Sequence, residues 1–496
     1  MNKMPDFIIN DKWIMDRISS QSTSFSKWIS GLIHSVENLF EEINVSEKDQ
    51  KDIDKFEKQM ANAKNELSAA KKELAALDFG SIESNIGGKA MKWVSNLIEK
   101  EVQQGLPNLE KTESDYGLNL DFLTGKRKTL SSALLDVSKE KGIQNQGLLY
   151  LIKSLPDLEA FLYSTNVQKY YRDHTEHTLR VAVLGEFLLE QDIGQGKLIS
   201  ILSDMLDIDK VQIKEKIWWI TSLLHDIGYP LGKISTSVNF SLLNQLLKCY
   251  PSLDLEFVPF EISLSWKSDQ KEYLEIIEEG LSKEAKMLIR RGSGIESPQL
   301  PSFSSKTFLQ QTKGHPEFAF TPKIELDHGI LSALSLLKGL GKPEEIRSND
   351  EYNGYIIAAK SIALHNFKIK LPEHNFDTQP LTFFLMLIDE LQEWGRPIPV
   401  QVQDTYFTTE LQKISLLDEI HFHLDEFAWS MQFRNENAKK LMNFDFDTFS
   451  NCKKNSFGRL TRGSNFTKTL INLQDIKSHE KSDLKDQILS EVNIEI

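Results

Sequence analysis

Apolar residues recur along this chain at helical spacing far more often than at strand spacing. In residues 1–145 the clearest stretch is Ile53, Phe56, Met60, Ala63, Leu67, Ala70, Leu74 and Leu77, set among Lys and Glu. Its steps alternate between three and four, so a coiled-coil seam is expected over 53–77. Phe79-Gly80-Ser81 would end that helix. A second helix, through Met91, Trp93, Val94, Leu97 and Ile98, would run until Gly105-Leu106-Pro107. Two readings follow: an antiparallel hairpin packed on its own protein, or a homo-oligomer formed through these helices. The alanines at two seam positions disfavour a strong dimer.

From 146 to 400 the pattern predicts helices near 147–164, 174–190, 211–226, 327–340, 354–367 and 380–394. Strand alternation is nearly absent, so the fold class expected is mainly α, with an all-helical core. An insertion over 234–323 interrupts this core. Its first part carries helical patterns at 241–248 and 271–291. Residues 292–322, rich in Gly, Ser, Pro and Lys, read as loop. A flap over a pocket and a solvated insertion are both compatible with it. After Pro397 the texture changes. Ile420, Phe422 and Leu424 alternate with His421 and His423, and a second apolar run follows from Phe427. A small α/β subdomain is expected over 401–496, with a polar tail that frays from about Lys477.

Composition narrows the function. At 496 residues the chain exceeds a usual single core. Its formal balance of 58 cationic and 72 anionic side chains leaves −14. Such a chain gains little from the counterion release that drives binding to long nucleic acid. Cys249 and Cys452 are too few for a disulfide framework or a thiolate zinc site, which suits a reducing cytoplasm. The start carries no apolar signal core. The run Leu381 to Ile388 is far shorter than the ~20 residues that span a bilayer. No membrane association is expected.

Six side chains with ligand chemistry lie on these apolar stretches: His177, His225, Asp226, His328, His365 and Asp389. Burying an imidazole or a carboxylate there is costly unless something satisfies it. A divalent cation satisfies several at once, which points to a metal-dependent hydrolase. His177 shares a face with Val181, Leu184 and Leu188 and so points inward. Neighbouring residues on a helix diverge by about 100°, so His225 and Asp226 cannot share one stripe. Both can grip an ion at the helix end, where Gly228 and Pro230 stop the helix. Gly329, Ser332 and Ala333 after His328 allow close approach.

Other polar residues have weaker claims. Lys233, after the His-Asp pair, and Arg396, beside Trp394, are candidates to hold a phosphate. Arg180 is a similar case, with an ion pair or solvent as its plainer role. His174, one turn before His177, is expected at the pocket rim. Lys286, Arg290 and Arg291 make a short basic cluster that fits a solvated helix face. His421 and His423 have ligand spacing on one strand face but no third partner in view.

The order His177, His225-Asp226, Asp389 resembles the HD-domain superfamily of metal-dependent phosphohydrolases and phosphodiesterases, all-helical enzymes named for the His-Asp pair. The resemblance covers roughly residues 170–397. It implies that His177, His225, Asp226 and Asp389 hold one divalent ion. It also implies that His328 and His365 match the two further histidines of two-metal members, with Asp226 as the bridge. The chain departs from the pattern in the 102 residues between Asp226 and His328, which the insertion accounts for. It departs again at Gly228-Tyr229-Pro230. The subgroup that degrades cyclic di-GMP carries those letters elsewhere, after a His-His-Glu that this chain lacks, and has Lys where Tyr229 stands. Specificity for cyclic di-GMP is not implied.

The resulting expectation is hydrolysis of a phosphoester or phosphoanhydride bond in a nucleotide or nucleotide-like small molecule, by a metal-activated hydroxide. Mixed imidazole and carboxylate ligation suits about two ions of Mn, Fe, Ni, Co or Mg. The competing expectations are an HD-type nuclease on single-stranded DNA or RNA, and a nucleotide-sensing scaffold module without turnover.

Overall fold

Local signals set the ends of the helices that the apolar stripes predict. The computed structural model describes residues 6–21, 25, 130–164, 174–231, 256–257, 268–294, 303–304, 326–394, 417–423, 428–434, 446–462, 470–477 and 487–496. Contacts divide the chain into residues 1–26 with 130–496, and residues 27–129; the described residues all belong to the first unit. The coiled-coil segment 53–77, Lys233, Arg396 and the helix expected at 241–248 lie outside the described residues.

Strand β1 (Phe7–Asn10) leads into helix α1 (Asp11–Gln21), and helices α2 (Gln146–Ser164), α3 (His174–Leu189) and α4 (Leu198–Leu206) follow. Next, a π turn (Ile213–Ile217) runs directly into α5 (Trp218–Leu224). The insertion holds β2 (Glu256–Phe257), α6 (Ser268–Glu278), α7 (Lys283–Gly292) and β3 (Phe303–Ser304). The core resumes with α8 (His328–Leu340), α9 (Pro343–Ser348), α10 (Asn353–Leu364) and α11 (Pro380–Leu391). The chain closes with β4 (Leu417–His423), β5 (Ala428–Arg434), α12 (Phe446–Phe457), β6 (Leu470–Lys477) and β7 (Gln487–Glu495). The mainly α class is borne out, accompanied by a five-stranded mixed sheet.

Capping chemistry explains the boundaries that matter for the site. Asp327 caps α8, accepting from the Ile330 amide at 3.1 Å. Pro380 opens α11, where its missing N–H costs nothing. The helix expected over 271–291 is instead two, because Gly280 adopts φ +76° between them. The insertion also forms a short antiparallel pair, β2 with β3, so Phe303 leaves the stretch read as loop.

The helical core is knit where α3 meets α5. The Trp218 indole donates to the Ala182 carbonyl at 2.8 Å and lies against Phe384 of α11, with ring centroids 4.7 Å apart. Only glycine at 185 permits this approach, since a Cβ there would sit 1.9 Å from the Trp218 ring. Trp218, Trp219, Phe383 and Phe384 are all fully buried.

The sheet has the order β1-β4-β5-β6-β7. Its pairs are antiparallel except β5 with β6, and a parallel neighbour requires a crossover, which α12 supplies. Two expectations need correction. Residues 1–145 do not begin as helix, because Phe7–Asn10 pairs with β4 as an edge strand. The tail does not simply fray after Lys477, because residues 487–495 pair with β6 along its length. The first unit also runs past residue 400 without a division. Among the described residues no helix is long and apolar enough to cross a membrane.

Candidate metal centre

The six candidate ligands converge at or near the ends of five helices, α3, α5, α8, α10 and α11. His225 is the residue after α5 and His365 the residue after α10, each at the C-cap. Carbonyls at a helix C-terminus lack intrahelical partners, and both imidazoles exploit this. His225 Nδ1 donates to Ser222 O at 2.7 Å, and His365 Nδ1 donates to Ile362 O at 2.6 Å. Each bond fixes the proton on Nδ1 and leaves the Nε2 lone pair facing the centre. His177, inside α3, reaches the same state by another route. Its Nδ1 donates to Gln392 Oε1, while Gln392 Nε2 donates to Trp394 O at 2.6 Å and so fixes the amide orientation.

Asp226 lies between two groups. Its Oδ2 is 3.5 Å from His225 Nε2 and 3.8 Å from His177 Nε2. Its Oδ1 is 3.3 Å from His328 Nε2 and 3.7 Å from His365 Nε2. Asp389 Oδ1 joins the first group, 2.9 Å from His177 Nε2 and 3.9 Å from His225 Nε2. In the second group, His328 Nε2 and His365 Nε2 stand 3.3 Å apart. Three sets could each hold an ion, their ligand atoms within 4.8 Å of one another: His177 with His225 and Asp226, His225 with His365 and Asp389, and Asp226 with His328 and His365.

Small residues let the helices come this close. A Cβ on Gly228 would sit 2.3 Å from the His328 carbonyl, and the Gly228 amide donates to Ser332 Oγ at 2.8 Å. Gly329 meets the His365 turn in the same way. The close approach expected of Gly329 and Ser332 is therefore present. Asp327 adds a second contact across this seam, accepting from Asn366 Nδ2 at 2.7 Å.

The centre is buried among apolar helices. His225 and Asp226 are at most 1 % exposed, whereas the His328 and Asp389 side chains retain 18 % and 13 %, so solvent meets the centre at those two. Burial pushes the His225 pKa down, against the pull of Asp226 and Asp389. Burial opposes a proton on His365 too, but the adjacent Asp226 carboxylate outweighs it and raises that pKa. His225 Nε2 is buried without a hydrogen-bond partner, the state of a nitrogen kept for a cation.

The remaining candidates fall elsewhere. His174 is not at the rim. It is wholly buried, its Nε2 3.8 Å from Asp226 Oδ2 and its ring stacked on Tyr229 at 4.0 Å. Arg180 is engaged by Asp11 at 2.9 Å and Glu176 at 3.2 Å. Arg290 makes a forked pair with Glu278. His421 pairs with Glu419 at 3.1 Å, and among the described residues no ligand group includes it or His423. Sequence reading missed Gln392, whose signal was its place three residues after Asp389.

Comparison of the chain with protein-family models, with curated proteins and with solved structures finds no match in any of the three.

Proposed function

We propose that this protein is a metal-dependent hydrolase of the HD-domain type, acting on phosphoester or phosphoanhydride bonds in nucleotides or nucleotide-like small molecules. One observation carries the reading: the two oxygens of Asp226 are divided between two groups of imidazole nitrogens. A carboxylate placed this way suits a bridge between two cations. His177, His225, Asp226 and Asp389 would hold one ion, and Asp226, His328 and His365 the other. The donor set fits Mn, Fe, Ni, Co or Mg, and the solitary Nε2 of His225 supports that fit.

Divalent ions held there supply Lewis acidity towards water and towards phosphate oxygens. The chain's own residues supply the rest. Gln392 and the carbonyls of Ser222 and Ile362 engage Nδ1 of three imidazoles, which orients each ring with Nε2 towards the centre. Apolar helices exclude bulk water from all but the His328 and Asp389 side. A buried carboxylate pair with several histidines also favours a cationic occupant on Coulombic grounds. The net charge of −14 favours a small anion bound at the metals over a long polyanion.

The test is metal analysis followed by turnover. Purified protein should carry about two divalent ions per chain. With Mn, Fe, Ni, Co or Mg it should release phosphate or a nucleoside monophosphate from members of a nucleotide panel. Asp226→Ala should remove both ions and all turnover. Wild-type protein that binds no divalent ion, or Asp226→Ala with undiminished turnover, would end the reading.

A further inference from the structure

Against the turn that carries His365 lies a buried ionic cluster. Arg459 follows α12, and Glu390 and Glu393 flank the end of α11, all at most 9 % exposed. Arg459 Nη1 donates to the carbonyl of His365 itself at 3.5 Å and to the Phe367 carbonyl at 3.1 Å. Arg459 Nη2 donates to Glu390 Oε1 at 2.8 Å. One guanidinium therefore ties the turn that carries His365 to the residue next to Asp389. Lys453 of α12 holds Glu390 as well, at 3.0 Å from both its carbonyl oxygen and Oε2, and pairs with Glu393.

We infer that Arg459 is a positioning residue for the second ion, fixing the turn that aims His365 at Asp226 Oδ1. The inference rests on the two-ion reading above. The asymmetry of the cluster gives it content. Without Arg459, Glu390 keeps Lys453, so Asp389 and the first ligand group stay in place. The carbonyls of His365 and Phe367 lose a charged donor in a buried setting, where an unmet carbonyl is costly. The turn then relaxes and His365 Nε2 moves off the second group. Among the described residues, the C-terminal α/β segment thus reaches the centre without lending it a ligand.

Mn(II) titration of metal-stripped full-length protein, with free Mn(II) read by electron paramagnetic resonance, separates the outcomes. Wild-type protein should take up two ions and give a spin-coupled signal. Arg459→Gln should keep the first ion at near wild-type affinity, weaken the second by about tenfold or more, and lose the coupled signal. Arg459→Lys should recover part of that affinity. Lys453→Met disturbs the same buried cluster without touching the His365 turn, and should keep both ions. Thermal unfolding of each variant reports whether it folds. Two ions of unchanged affinity in Arg459→Gln would overturn the inference alone. So would equal loss of both ions, or a Lys453→Met variant that behaves like Arg459→Gln. Should Arg459→Gln not fold, the Arg459→Lys titration decides: unchanged second-ion affinity would overturn the inference. Wild-type protein with no Mn(II) bound would overturn this inference and the proposed function together.

Discussion

Gly329 lies directly against His365: a methyl group on its Cα would come 3.0 Å from His365 Nδ1 and 2.6 Å from the Ile362 carbonyl oxygen that this nitrogen bonds. The bond that orients the ligand therefore depends on the absence of a side chain on the neighbouring helix. Gly329→Ala should destabilise the fold by about 1–3 kcal/mol through overpacking. It should also weaken the second ion in preference to the first, because the strain falls on His365. Urea denaturation of the metal-free protein and a parallel Mn(II) titration would measure the two effects separately. Equal loss of both ions would show that the strain spreads beyond His365.

Gln392 accepts the Nδ1 proton of His177 and is itself held by the Trp394 carbonyl. Removing an acceptor of this kind usually costs about 10–100-fold in metal affinity or activity. Gln392→Ala should show a loss of that order. Gln392→Glu should retain more affinity, because a carboxylate oxygen can still accept from Nδ1. Isothermal titration with Mn(II) would rank the three proteins. Gln392→Ala with wild-type affinity would show that His177 needs no such support.

The order of the candidate ligands was legible because each lies on, or at the end of, an apolar helical stretch where an unpaired polar group would be costly. The seam at Gly329 and Ser332 could be read for the same reason: small residues follow a ligand. What fixes the tautomers was not legible. Ser222 and Ile362 act through backbone carbonyls, which carry no residue signature, and Gln392 meets His177 across 215 positions of sequence. Arg459 was hidden likewise, since its partners lie in the 365–367 turn and at Glu390. The sheet was half visible. Alternation at Ile420 and Phe422 marked β4, but β1 has four residues and its partner strand lies some 410 positions away. In β7, Val492 and Ile494 do alternate with Glu491, Asn493 and Glu495, a strand pattern that the charged composition of the tail concealed.

Gly185 is the second place where a missing side chain sets the core. Its α-carbon faces the Trp218 ring, and any Cβ would overlap that ring. Trp218 also donates to Ala182 O, so the indole cannot swing away without leaving a buried carbonyl unmet. Gly185→Ala should cost at least about 3 kcal/mol, at the upper end of overpacking effects. Chemical denaturation should show it, and the loss should persist in metal-free protein because the contact is remote from the ligands. A loss below 1 kcal/mol would mean that α3 and α5 can separate freely.

His374 gives the fold a pH dependence that does not pass through the ligands. It is wholly buried, donates from Nε2 to the Leu364 carbonyl at 3.2 Å, and lies near the Arg459 guanidinium. Burial pushes its pKa down to about 4; the Leu364 carbonyl opposes this, the charge of Arg459 adds to it, and the Arg459 backbone and Glu373 oppose it. The unfolded chain titrates this imidazole near 6.5. Above that value both states are neutral, and His374 contributes no slope. As pH falls from about 6.5 to about 4, the unfolded state takes up a proton that the folded state refuses, so stability is lost with acid. The slope approaches about 1.4 kcal/mol per pH unit, roughly 3 kcal/mol across the window. His374→Gln keeps a side-chain N–H but removes the titration. Urea unfolding of metal-free wild type and variant at pH 7, 6 and 5 should show the wild type losing stability faster as the solution is acidified. Subtracting the variant cancels the acid response of the metal ligands, which both proteins share. A difference between the two that stays constant over this range would show that His374 accepts its proton as readily folded as unfolded.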